Sequence, residues 1–338
     1  MLSERRERIL RYIIHEYITS ATPVGSEAIV RKYALGLSPA TIRNEMVYLE
    51  GEGYLTHPHT SAGRIPAEKG YRHYVATAPE EPLSAAEQEA LRRQLLAAAR
   101  DIEEWVRLAA ALLAHAAQNV ALVTPPQATE PRFRHLELVP LHDLVVLLLL
   151  VLHGARVRRQ VLTLDEPVPR EHLTALTNRL NAALRDLTAT QISAGLVHFT
   201  PLEAGVARAI VELLRAEEAR QRQEAYLEGL RNLLAQPEFT GNRRALALLE
   251  ILEDHRARSD LIARIGTGEA LRVAIGSDNR AIGIEDCSVV LMRYGVPGEI
   301  AGTLVVLGPT RMAYPRIMAT VRYLSELMTD LVREQHVM

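Results

Sequence analysis

The side chains best suited to chemistry lie in one short stretch, Leu37 to Pro66, which reads LSPATIRNEMVYLEGEGYLTHPHTSAGRIP. Arg43 carries a guanidinium fork that fits guanine edges or a phosphate, and Asn44 carries an amide that pairs with adenine. Thr41 and Tyr48 can reach a phosphate or a thymine methyl. A second group, His57, His59, Thr60, Ser61 and Arg64, offers donors with no acid among them, and Gly63 lets a backbone approach closely. These residue types bind double-stranded DNA. They are not a set that makes or breaks bonds.

The elements that would position them follow from the same stretch. Ser38 has the chemistry of a helix N-cap, and Pro39 sits at the first helical position, where its missing N–H costs nothing. Ile42, Met46 and Leu49 recur at spacings of four and three, so they form one buried stripe. Thr41, Arg43, Asn44, Val47 and Tyr48 then point elsewhere. Gly51 and Gly53 end the helix, Tyr54 to His57 reads as a strand, and Arg64-Ile65 can pair back to it across a polar loop. Upstream, Leu2 to Thr19 predicts a helix with Ile9, Ile13, Ile14 and Tyr17 on its apolar face. Arg5, Arg6, Arg8 and Arg11 decorate its other side, as a solvated face that can also flank phosphates. Ser26 caps a second helix, with Ala28, Ile29 and Tyr33 facing inward. Glu68 to Thr77 predicts a closing helix packed through Tyr71, Tyr74 and Val75. Three helices and a hairpin make a winged helix-turn-helix over residues 1–78.

The segments SPATIRNEMVYLEGEGYL and PHTSAGRIPAEKGYRHYV resemble the N-terminal region of the bacterial heat-inducible transcription repressor family, HrcA. Further matches are IGSDN at Ile275 to Asn279, CSVV at Cys287 to Val290 and GPTRMAYPR at Gly308 to Arg316, so the resemblance spans nearly the whole chain. Asp278 stands where the family usually carries Glu, and Ala313 where it often carries Asp. The resemblance implies an α+β multidomain protein: a winged helix, a GAF-like α/β domain and an inserted dimerisation domain. It also implies binding of an inverted-repeat (CIRCE-type) operator upstream of chaperone operons as a homodimer. The chaperonin GroEL would promote the active fold, and heat would relieve repression by diverting it.

Composition agrees with a local DNA contact. The chain has 338 residues, enough for two or three domains. Its formal net charge is −2, so DNA affinity must come from a local patch on one module. Aromatics make up 4%, so the core is built from Leu, Val, Ile and Ala. The single Cys287 excludes an internal disulfide framework and a Cys-based zinc site, and it reads as a core thiol. The longest apolar run, Leu144 to Leu152, is too short for a membrane helix, and MLSERRERIL is not a signal peptide. A cytoplasmic protein with no membrane partner is the expectation.

Pro79-Glu80-Glu81-Pro82 predicts a linker over 79–82 that leaves the DNA-binding heads free to reorient. Ser84 caps a long helix whose seam is Leu91, Leu95, Ala98, Ile102, Trp105, Ala109, Leu112 and Ala116. Ile317, Val321, Leu324, Met328 and Leu331 keep the same rhythm near the other end, so the two helices are expected to pack together. Asn119 to Thr124, Arg134 to Val139, Asp143 to Leu152 and Arg156 to Leu164 read as strands, the last two joined by a tight turn at His153-Gly154-Ala155. Arg170 to Leu184, Leu202 to Arg220, Tyr226 to Ala235 and Arg243 to Glu253 read as helices. Arg272 to Gly276, Cys287 to Tyr294 and Glu299 to Leu307 read as strands, followed by a helix over Pro315 to Glu334. The expected plan is a GAF-like domain from 83–125 and 256–338, with an inserted dimerisation domain at 126–255.

Other chemistry has little support. Ser277, Asp278 and His255 are not placed together by any spacing. Gly266-Thr267-Gly268 lacks the Gly-Lys of a phosphate loop. His57 and His59 lack nearby Cys or carboxylate partners for a metal, and no cofactor is expected. Arg311 either binds an anion at a helix start or holds a strand–helix turn. Two rival functions stand beside the DNA-binding repressor. One is a regulator whose GAF-like domain binds a small effector. The other is an enzyme or interaction scaffold with a vestigial winged helix.

Overall fold

The structure is a computed structural model. It describes residues 2–58, 63–79, 81–97, 102–128, 131–153, 157–223, 225–240, 243–254, 257–258, 260–262, 270–296 and 299–336. The site residues His59, Thr60 and Ser61 lie outside these, as do Glu80, Ala98, Gly154-Ala155, His255 and Gly266-Thr267-Gly268. The chain folds into two compact α+β units: residues 1–126, 225–297 and 302–338 form the first, and 127–224 with 298–301 the second.

The first unit begins with α1 (Glu4–Ser20), α2 (Ser26–Lys32), α3 (Pro39–Gly51), β1 (Leu55–Thr56), β2 (Ile65–Pro66) and α4 (Glu68–Thr77). Ile9, Ile13, Ile14, Ile29, Ile42, Leu49 and Leu55 are fully or nearly fully buried and form this head's core. The antiparallel pair β1–β2 aligns Leu55 with Pro66 and Thr56 with Ile65. Glu16 of α1 accepts from Lys32 Nζ at 2.5 Å and Tyr33 Oη at 2.9 Å, which fastens α2 to α1.

The rest of the first unit contains α5 (Ala85–Ala97), α6 (Ile102–Ala117), β3 (Val120–Val123), and, after the second unit, β8 (Tyr226–Glu228), α10 (Leu230–Leu234), α11 (Arg243–Glu253), β9 (Arg272–Ile275), β10 (Cys287–Val296), β11 (Ile300–Pro309) and α12 (Tyr314–His336). The strand order is β8-β3-β11-β10-β9. Alternate strand residues point to opposite faces. Val120, Leu122, Cys287, Val289, Leu291, Val305 and Leu307 pack with Leu233, Leu248 and Leu252 of α10 and α11. Helices α6 and α12 pack on β3 and β10 and on each other. With both faces covered, these strands read as unbroken apolar runs. Burial pushes the Cys287 thiol up to about 12, consistent with a core role.

The second unit contains β4 (Gln127–Ala128), β5 (Phe133–His142), β6 (Val145–Leu152), β7 (Val157–Thr163), α7 (Arg170–Leu184), α8 (Ala189–Gly195) and α9 (Pro201–Gln223). Strands β5-β6-β7 form an antiparallel meander. Its inner face, with Phe133, Leu136, Leu148 and Leu150, is covered by Leu173, Leu176 and Leu180 of α7 and Val206, Ile210 and Leu214 of α9. Its outer face is open and mixed, with Val139, Leu147, Val151, Val157 and Val161 set around a Glu137–Leu149–Arg159 row. Val157 is 56% exposed and Val161 58%.

The structure corrects several expectations. The second unit stops at residue 224, well short of the expected insert end at 255. Residues 226–253 return to the first unit because Tyr226–Glu228 is a strand paired with β3, not the start of a helix. Gly229 at φ 85° then turns the chain into α10. The buried stripe of α6 is Trp105, Val106, Ala109, Ala110, Leu113, Ala114 and Ala117, broader than the expected seam and shifted from it, while Ile102 is exposed. A helix lying on a sheet buries a wider face than one meeting a single helix. The packing of α6 with α12 is as expected, with Trp105 and Leu324 both fully buried. Helix α8, with its Thr188–Gln191 capping box, was not foreseen.

The head is docked rather than free. Arg72 Nη2 of α4 lies 2.9 Å from Asp278 Oδ1 and 3.0 Å from Ser277 Oγ, and Glu68 accepts from the Ser277 N–H at 3.0 Å and its hydroxyl at 2.6 Å. Tyr71, expected to pack on the head's own core, meets Tyr314 of α12 with ring centroids 6.0 Å apart. Arg311 donates to the Ile18 carbonyl at 2.6 Å, to Gln236 Oε1 at 2.7 Å and to both Glu238 oxygens. A cation at the C-terminal turn of α1 also favours that helix end. Arg311 therefore holds the strand–helix turn and the end of α1, the structural one of its two expected roles.

Candidate nucleic-acid interface

Helix α3 is built as its sequence predicts. Ser38 Oγ accepts from the Thr41 N–H at 3.1 Å, and Pro39 occupies the first turn. Ile42, Met46 and Leu49 are buried, whereas Arg43, Asn44, Val47 and Tyr48 are exposed. No hydrogen bond or ion pair engages Arg43 or Asn44 among the described residues. The free face therefore carries a guanidinium, an amide, an aliphatic group and a phenol in successive turns, and Thr41 is half-buried at its edge.

Two carboxylates organise the surroundings of this face. Glu45 is only 5% exposed. It accepts from Arg6 Nε at 2.8 Å and also bonds Arg5. The Arg6 guanidinium, against the opposing effect of burial and with help from Arg5, holds the Glu45 carboxyl below the usual carboxylate range. Arg6 also stacks on Tyr48, 3.4 Å from the ring centroid. The N-terminal turn of α1 thus brings two cations to the flank of α3. At the other end, Glu50 bonds Arg64 Nη2 at 2.7 Å and faces His57 Nδ1. Arg64 and His57, expected to reach toward DNA, are both tied to α3 in the free protein.

The hairpin base is fixed by its backbone. Arg64 and Val24 exchange both main-chain hydrogen bonds, at 2.8 and 2.9 Å. Tyr54 lies under Lys69, whose Nζ is 4.3 Å from the ring centroid and donates to the Glu52 carbonyl at 2.7 Å. Arg43, Asn44, Tyr48, Arg64 and His57 all sit on α3 or the hairpin joined to it, with Ser38 at the start of the helix.

Comparison with known proteins decides the family. The HrcA protein C terminal domain matches residues 103–318. The "Heat-inducible transcription repressor HrcA" of Roseiflexus castenholzii is 42% identical across 98% of this chain and 95% of its own length. The proteins of the same name from Thermomicrobium roseum and Dehalococcoides mccartyi are 42% and 39% identical, over 98% and 99% of this chain and 96% and 97% of theirs. The chain belongs to the HrcA family. A crystal structure of a hypothetical protein is 25% identical and covers 99% of both chains with a TM-score of 0.62.

Within this HrcA-family chain, sequence reasoning missed Glu45 and Glu50. A signal for Glu45 was present. Ile42, Glu45, Met46 and Leu49 stand at i, i+3, i+4 and i+7, so Glu45 lies in the buried stripe, and a charge there requires a partner. Glu50 carries no such signal, because its partners lie across the hairpin. Among the described residues no helix is long and apolar enough to cross a membrane.

Proposed function

We propose that the chain is a heat-inducible transcription repressor, not an enzyme, that reads DNA with α3 and the β1–β2 hairpin as a winged helix. The observation that carries this reading is the exposed face of Arg43, Asn44, Val47 and Tyr48, on which Arg43 and Asn44 are unengaged among the described residues, opposite a fully packed stripe. Thr41, Ser38 and the wing residues His57, His59, Thr60, Ser61 and Arg64 would contact the flanking backbone. The operator would be an inverted repeat of CIRCE type read by a homodimer, with one recognition helix in each of two major-groove segments. The sheet backed by α6 and α12 supports a GAF-like reading of the C-terminal part. The open face of β5–β7, where exposed Val139, Val157 and Val161 flank Glu137 and Arg159, supports the second unit as the dimerisation domain. Family membership supports a role for the chaperonin GroEL in maintaining the DNA-competent fold.

Binding to the inverted-repeat duplex and to a scrambled duplex, each at two salt concentrations, tests the reading. Specific recognition gives a ratio of about 10³ or more between the two. Arg43→Ala is expected to cost about 1–3 kcal/mol on the operator and little on the scrambled duplex if the guanidinium meets a base. Equal weakening on both, with a salt slope shallower by about one, marks a phosphate contact instead. Indifference of the wild-type protein to the two duplexes would end the proposal.

A further inference from the structure

Glu50 occupies the last turn of α3, between the helix that would read bases and the hairpin that would hold the backbone. Its two oxygens are divided between Arg64 Nη2, at 2.7 Å, and His57 Nδ1. The backbone of Arg64 cannot follow a moving side chain. Its N–H and C=O are both bonded to Val24. Gly63 beside it is packed so closely that a Cβ would lie 2.6 Å from the Val24 carbonyl carbon and oxygen. Only the side chain is left to rearrange. That side chain also holds a spare donor, since Arg64 Nε is buried with no hydrogen-bond partner among the described residues.

We propose that Glu50 is an internal counter-ion that keeps Arg64, with His57 beside it, from binding DNA until a seated recognition helix brings a phosphate to the same place. Glu50 thereby sets selectivity for the operator over other DNA. This rests on the DNA-reading function proposed above. Non-specific affinity is electrostatic and comes from cations that replace condensed counter-ions on the phosphates. A cation already neutralised by a carboxylate contributes little to it. Exchanging the carboxylate for a phosphate also forfeits a charge-assisted pair. On a random duplex only the new phosphate pair offsets that loss, so the exchange gains little. On the operator the base contacts of Arg43 and Asn44 offset it as well, and the freed guanidinium then uses Nη2 and its idle Nε on the phosphate. Selectivity here comes from weakening the wrong complex as well as strengthening the right one.

The test uses the full-length chain, an inverted-repeat duplex and a scrambled duplex, across a salt series from about 50 to 200 mM. Glu50→Gln is expected to tighten binding to the scrambled duplex and to steepen its salt slope by about 0.9. The gain over wild type then shrinks about three- to fourfold across that range. Arg64→Gln is a second arm that does not depend on the folding of the first variant. It is expected to weaken operator binding, with a shallower slope, and to leave the scrambled duplex unchanged. Glu50→Gln leaving scrambled binding unchanged, or weakening both duplexes alike, overturns the proposal. So does Arg64→Gln weakening both duplexes equally or neither. If the wild-type protein shows no operator preference, the DNA-reading function falls and this inference with it. A preserved wild-type preference with unresponsive variants removes the counter-ion alone.

Discussion

Acidic side chains decide how several cations of this protein are presented. Glu45 and Glu50 hold three arginines and a histidine beside α3, and in α5 Glu87 plays a comparable role. Glu87 is bonded to Arg316 and accepts from the N–H and hydroxyl of Ser84, at 2.8 and 2.7 Å. The Arg316 guanidinium first, and Ser84 next, hold its carboxyl down at about 2. A carboxyl whose folded pKa lies below its unfolded value stabilises the fold above the unfolded value and loses that contribution as pH falls through the folded one. The contribution of Glu87 is therefore complete at neutral pH and disappears on acidification from the ordinary carboxylate range toward about 2. Its partial exposure keeps the effect small and salt-sensitive. Thermal unfolding followed at low ionic strength from about pH 6 to 2 should show a shallower acid decline for Glu87→Gln than for the wild type. Superimposable profiles would remove the Arg316 pairing as the cause.

At the scale of elements, close backbone contacts constrain the head as much as side-chain packing does. Gly70 lies in the first turn of α4, where Ala is ordinarily the better helix former, by up to about 1 kcal/mol. Here a Cβ would stand 2.3 Å from the Tyr54 carbonyl oxygen, which is backbone and cannot move aside. Overpacking of this kind costs about 1–3 kcal/mol. Gly70→Ala is expected to lower the urea midpoint of the head despite its gain in helix propensity, and a raised midpoint would refute the contact. Elements were legible in the sequence where one local rule governed them. Pro39 and the Ile42, Met46 and Leu49 spacing gave α3, and Glu68 to Thr77 gave α4 to the residue. Tyr226 to Glu228 was misread because three residues hold too little periodicity to separate a strand from a helix start. Only the open edge of β3 makes them a strand.

At the scale of the molecule, the outer face of the β5–β7 meander is the feature most in need of a partner. Register sets Val139, Leu147 and Val161 in one row across the three strands, and Val151 beside Val157 in another. The row between them is Glu137, Leu149 and Arg159, and an open face of aliphatic rows around one acid and one base can meet its own symmetry mate with the charges paired. Val161→Asp would place a carboxylate in the aliphatic row of Val139 and Leu147 in that interface. A cost of about 3 kcal/mol raises the dimer dissociation constant about a hundredfold. Sedimentation equilibrium at micromolar concentration should then show monomer for the variant and dimer for the wild type. A wild-type monomer would remove the face from any role in assembly.

The chain by itself determined what depends on neighbours within a turn or a strand: the caps, the buried stripe of α3, the exposed Arg43 and Asn44, the β-rich stretches and the motifs shared with the HrcA family. Tertiary structure alone decided which charges are spent. Glu50 meets Arg64 across the hairpin, Arg311 meets Ile18 and Glu238 from distant segments, and Arg72 meets Asp278. It also decided where the second unit ends. The physical reason is range. Propensity and amphipathic spacing act over a few residues, whereas an ion pair, a hydrogen bond or a strand edge between segments 14 to 293 residues apart exists only once the chain has closed on itself.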